Sequence, residues 1–138
     1  MLSVVGIACL GLLAPVGSFL WSQTVRQGVR VPLEEYRAIS PRLPATVTQV
    51  TYYSDYSGTE ALFNIAETDL TRWAQSNDWS VAEISYPEPE SVDLTHLKIN
   101  TAIIRGIVIE KTFHPRGTGV RAVFNRATGE CYFKYSSH

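Results

Sequence analysis

Charge is missing from the start of this 138-residue chain: no Asp, Glu, Lys or Arg precedes Arg26. As a helix, the stretch from Leu2 to Trp21 would span roughly 30 Å, the thickness of a bilayer's hydrocarbon core. Cysteine is scarce as well. Cys9 falls in that apolar stretch and Cys131 in a strand pattern near the C terminus, so the domain that follows holds one thiol and no internal disulfide. The chain also lacks a GxSxG elbow and a glycine-rich loop ahead of a helix, the arrangements that expose a serine nucleophile or cradle phosphates. His96, His114 and His138 have no partner at metal-ligand spacing, and Glu88, Glu90 and Asp93 lack the ligand order and turn glycine of a calcium loop. No catalytic residue, cofactor or metal is assigned on these grounds, and no internal repeat interrupts the reading.

What is present divides into three parts. Residues 1–22 read as a membrane anchor, with Trp21 at the interface. The competing reading is a signal peptide broken at Pro15 and cut before Phe19, with Val16 and Ser18 at the −3 and −1 positions; the absence of Lys or Arg ahead of the apolar run argues against cleavage. Gly6, Ile7 and Ala8 are a poor lead-in for lipidation of Cys9. Arg26, Arg30 and Arg37 would hold the following domain in the cytoplasm by the positive-inside rule, whereas small bacterial domains on one N-terminal anchor more often face outward. The expectation is a single-pass membrane protein with its domain on the extracytoplasmic side. Residues 23–44, with Pro32, Pro41 and Pro44, read as a tether holding a short helix that starts at Pro32.

Residues 45–138 read as an α+β domain in which a small antiparallel sheet is packed by one main helix. The β-branched and aromatic run Thr46–Tyr53 precedes a turn bearing Asp55 and Gly58, and Ala61, Phe63 and Ile65 alternate with Glu60, Leu62 and Asn64, so the two runs pair as a hairpin. Leu70, Trp73 and Ala74 then fall on one helical stripe, with Glu67 and Asp69 in the first turn and Asn77 as a left-handed stop. Trp79, Val81 and Ile84 reopen a strand. The segment YPEPESVDLTHLKIN reads as a loop. Strands are expected over 101–113, with Gly106 marking a bulge or bend, and over 120–125 and 130–135, the last two joined as a hairpin.

Two surface features stand out. Tyr52, Tyr53 and Tyr56 crowd one hairpin; at most two can face the core, and packing on the sheet is favoured over an aromatic patch made by the outward ones. Between Asp55 and Asp93 nine acids face Arg72 alone, while from His96 onward seven Lys and Arg face only Glu110 and Glu130. Either the halves neutralise one another where they meet, or they form a polarised surface for a partner. Arg121 and Arg126 are the basic residues expected on the second kind of surface. A formal net charge of −1 argues against nucleic acid as a partner.

At PATVTQVTYY, with ALFNI, LTRWA and WSV following and FNRATGECYF near the end, the chain resembles uncharacterised small bacterial proteins that are membrane-anchored or exported. That resemblance implies the fold and the exported setting and carries no activity. Together these features point to a non-enzymatic, membrane-anchored interaction domain, an accessory or assembly subunit of a membrane protein complex. Its partners would be the membrane, through residues 2–21, and a protein. The rival reading is a small-ligand module with a cleft lined by Trp73, Trp79 and the hairpin tyrosines.

Overall fold

A computed structural model of the chain describes residues 25–39, 41–85, 87–113 and 118–136. Among the described residues nine strands and two helices run in the order β1 (Arg26–Pro32), α1 (Leu33–Tyr36), β2 (Gln49–Asp55), β3 (Gly58–Asn64), α2 (Glu67–Ser76), β4 (Ser80–Glu83), β5 (Glu90–Leu94), β6 (Ile99–Ile103), β7 (Gly106–Thr112), β8 (Gly119–Asn125) and β9 (Glu130–Ser136). Seven strands form one antiparallel sheet in the order β1-β2-β3-β9-β8-β7-β4, and β5 and β6 form a separate hairpin.

Period-two alternation explains the layering, because successive residues of a strand face opposite sides of the sheet. On one side Val50, Phe63, Cys131, Phe124 and Ile107 lie in register as one cross-strand row, with Tyr52, Ala61, Phe133, Ala122 and Ile109 as the next. Leu70 and Ala74 of α2, together with Tyr36, Ile39, Leu43 and Val47 from α1 and the loop after it, close over these rows to make the main core. On the other side Val108 and Val123 pack with Val92, Leu94 and Ile103 of the β5-β6 hairpin and with Ile84 as a second core.

α2 begins after Ala66, which gives no side-chain cap, and has Glu67 and Asp69 in its first turn. Its end is a Schellman motif: Trp79 N–H donates to the Ala74 carbonyl at 2.9 Å and Asp78 N–H to that of Gln75 at 3.1 Å. The left-handed residue is Asp78, at φ 59°, rather than Asn77, whose side-chain amide instead donates to the Trp73 carbonyl. Trp73 and Trp79 meet edge-on at 4.8 Å, and Trp73 also leans on Phe133 at 5.9 Å. These rings pack between the helix end and the sheet.

Several expectations are corrected. With 53% of the described residues in strands and 13% in helices, the domain is mostly antiparallel β rather than a balanced α+β fold. Both faces of the sheet are covered, one by helices and the other by a hairpin that the two prolines and weak periodicity of 86–100 concealed. The run 101–113 is two strands, because the chain breaks at 104–105 and leaves the hairpin for the main sheet at Gly106. Gly106 has φ +152°, and a Cβ there would collide with the Phe124 carbonyl, so only glycine fits. Part of the expected tether is β1, paired antiparallel with β2 at the sheet edge. Among the described residues no helix is long and apolar enough to cross a membrane; the longer one, α2, has ten residues, about 15 Å. The expected anchor over 2–21 lies outside the described residues, and the expected single-pass, transmembrane localisation finds no candidate helix among those described.

Leu70 is fully buried and central to the helix-sheet contact. Leu70→Ala is expected to cost about 2–5 kcal/mol, read as a lower denaturant midpoint with an unchanged slope. An unaltered midpoint would place α2 elsewhere.

Candidate functional site

The row of cross-strand neighbours beside the second core is polar from edge to edge. It runs Tyr53, Glu60, Lys134, Arg121, Glu110 and Ser80 across β2, β3, β9, β8, β7 and β4. Glu60 is the unusual member. Its alternation with Ala61 sends it away from the main core, yet it is only 4% exposed because the β5-β6 turn sits on it. Its Oε1 accepts from the backbone N–H groups of His96 at 2.8 Å and Leu97 at 3.1 Å, and Oε2 lies 3.2 Å from His96 Nδ1. Tyr53 stacks flat on the His96 imidazole at 4.1 Å. Glu60 therefore pins the turn of the hairpin to the middle of the sheet.

A cleft of about 270 Å³ opens beside this pin, bordered by Asp55, Ser57, Thr95, His96 and Lys134 among others. Asp55 and Ser57 are engaged with each other, and His96 with Glu60. Burial alone would raise the Asp55 carboxyl, but hydrogen bonds from the Ser57 hydroxyl and N–H and from the Tyr53 hydroxyl hold it below the usual carboxylate range. The Ser57 hydroxyl points to Asp55 at 2.6 Å and not to an imidazole, so it is placed as a turn fastening. Among the described residues no group of three or more His, Cys, Asp or Glu could hold a metal ion.

The structure separates the residues expected to form one surface. Tyr52 is buried on the helix side, edge-on to Tyr36 at 5.2 Å. Tyr53 lies on the opposite face under His96, and Tyr56 is exposed at the turn. The two arginines are occupied within the chain. Arg121 donates to the Ser91 carbonyl and to Glu90 on β5, and its Nε is 3.4 Å from Glu110. Arg126 makes paired hydrogen bonds to both Glu67, at 2.7 and 2.8 Å, and Glu83, at 3.1 and 2.9 Å, tying the start of α2 to the end of β4. Those hydrogen bonds hold the Glu67 carboxyl below its ordinary value. At both arginines, then, the charge asymmetry is neutralised where acidic and basic halves meet, and neither heads a separate basic face. Tyr132 is pushed up to about 12 by burial and, after that, by its hydrogen bond to Glu130.

What remains open is the backbone at the two sheet edges, and they differ. β1 is blunted: it carries Arg26, Arg30 and Pro32, and its register is broken between Gly28 and Val31, where Arg30 adopts φ 51°. β4 has no proline or bulge, and all four of its residues are exposed. Ile84 N–H donates to the Gly106 carbonyl at 3.0 Å, continuing the register in which Ala82 faces Val108 and Ser80 faces Glu110. By alternation, the N–H and C=O groups of Val81 and Glu83 point away from β7 into solvent. Four residues of weak pattern gave no sign of this in the sequence, because edge position depends on strand order.

No family model, no curated protein and no solved structure matches the chain.

The pin has a measurable consequence. Glu60→Ala leaves the His96 and Leu97 N–H groups without their acceptor, and is expected to cost about 1–3 kcal/mol. Glu60→Gln, which keeps an acceptor oxygen, should lose less. Equal denaturation midpoints for Glu60→Ala and the unaltered chain would show that the hairpin is held by its apolar contacts alone.

Proposed function

We propose that this protein is a protein-binding domain, an accessory or assembly component, which takes an extended segment of its partner as an additional strand on β4. The observation that carries the reading is the pair of outward backbone positions at Val81 and Glu83 on a flat, unblunted edge. Main-chain hydrogen bonds supply affinity in this mode, and alternate side chains supply specificity. Val81 is an exposed apolar group, so the added strand gains some apolar burial. Asp78 precedes β4 and Glu88 follows it in the chain, neither with an ion-pair partner among the described residues, whereas Glu83 and Glu110 are already paired with Arg126 and Arg121. These two carboxylates suit a segment that carries Lys or Arg at its ends.

A fluorescent peptide alternating Val and Lys tests the reading by anisotropy. Val81→Pro removes an N–H that faces away from β7, so the internal ladder is spared. The unaltered chain should bind the peptide and the Val81→Pro chain should lose at least about tenfold in affinity with its melting point nearly kept. Equal binding by a folded Val81→Pro chain would refute the edge as the docking place.

A further inference from the structure

The β4 edge also dictates the direction and the side-chain order of its partner strand, an inference that rests on the strand-addition reading. Val81 and Glu83, whose backbone groups point outward, lie opposite Ile109 and Ile107 of β7, and both isoleucines belong to the main core. Cross-strand neighbours share a face of the sheet, so the Val81 and Glu83 side chains stand on the helix side. Trp79 precedes them at the same parity and packs in that core beside Trp73. From chain start to chain end, the helix side of the edge therefore offers a mostly buried indole, an exposed isopropyl group and a carboxylate.

The carboxylate belongs to an unbalanced cluster. Arg126 is shared between Glu83 and Glu67, which leaves a net charge of −1 (1 − 2) where the Glu83 side chain is exposed. A strand laid along the edge thus meets an apolar end at Trp79 and Val81 and an acidic end at Glu83.

Direction then sets the order of the partner's residues. An antiparallel strand satisfies the N–H and C=O groups of both Val81 and Glu83 with a stretch of only three residues, because each bonded residue exchanges two hydrogen bonds with one residue of β4. A parallel strand needs a stretch of five for the same bonds, which slant between neighbours. Ordering the extra residues costs conformational entropy without adding a bond. The pairings described in the main sheet are all antiparallel as well.

We infer that the partner of β4 is an antiparallel strand with Lys or Arg opposite Glu83 and, two and four residues later in its sequence, apolar side chains opposite Val81 and Trp79. Read from its N terminus, the segment is basic first and apolar after, at alternate positions.

Two end-capped peptides, Ser-Lys-Thr-Val-Thr-Val-Ser and its reverse, carry the same residues in opposite order, and titration calorimetry with the full chain compares them. The forward peptide should bind about three- to tenfold tighter. Glu83→Gln should weaken it about two- to fivefold and leave unchanged a version with Gln in place of Lys. A nitroxide on the N terminus of the forward peptide should broaden the amide signals of Ser85 and Glu88 and spare those of Asp78 and Trp79. Equal or reversed affinities, a Glu83→Gln chain that still prefers Lys, or a label that broadens Asp78 and Trp79 instead would each overturn the inference. If Val81→Pro abolished binding in those cases, strand addition at β4 would survive its loss; binding by neither peptide would take both down.

Discussion

The pairing of β3 with β9 is the constraint on which everything else rests. One side of the sheet, β1-β2-β3, comes from the first half of the chain, and the other, β9-β8-β7, from its end. All seven residues of β3 are in register with β9, from Gly58 opposite Ser136 to Asn64 opposite Glu130, and Ile65 N–H extends the ladder to the Gly129 carbonyl. Closing so long a stretch of chain costs conformational entropy before the contacts across it form. Burial on both faces offsets that cost. Ala61, Phe63, Cys131 and Phe133 sit on the seam in the main core, and Glu60 fastens the hairpin turn on the other side.

That arrangement explains why side chains with chemical potential are so fully engaged. Cys131 is completely buried at the seam, and its burial drives the thiol toward the unreactive protonated form. Glu60 serves two backbone amides, Asp55 closes its own turn, and Arg121 on β8 and Arg126 in the turn after it clasp β5, α2 and β4. Exposed ion pairs of this kind contribute little each, about 0–1 kcal/mol. Their effect here is to set where elements meet. What the fold leaves open is the backbone edge at β4.

Legibility in the sequence followed the range of the interaction. The β2-β3 hairpin, α2 and the β8-β9 hairpin were readable because their signals are local: alternation, a helical stripe, and turns rich in Gly and Asp. The β5-β6 hairpin was not, since its alternation is carried by Val92, Leu94 and Ile103 against Pro, Thr and Asn, and its stability comes from the sheet beneath it. The alternation also assigned Glu60 to the correct face. What it could not convey is that a distant hairpin would bury that face. Tyr52 and Tyr53 were likewise separable by period, but the partners that decide their environments, Tyr36 and His96, come from elements read as a tether and a loop. Charge counting registered the excess of acids and bases in the two halves without indicating which would touch.

Native-state amide hydrogen exchange on the full chain measures the central claim residue by residue. If the β3-β9 seam holds the two halves together, the amides of Ala61, Leu62, Tyr132 and Phe133 will exchange only through global unfolding and with a common denaturant dependence. Those of Val81 and Glu83 will exchange nearly as freely as an open chain. Contradiction would be a seam that opens at lower free energy than the β2-β3 and β8-β9 hairpins on either side of it, for then the halves fold separately and the single sheet is not what this chain depends on.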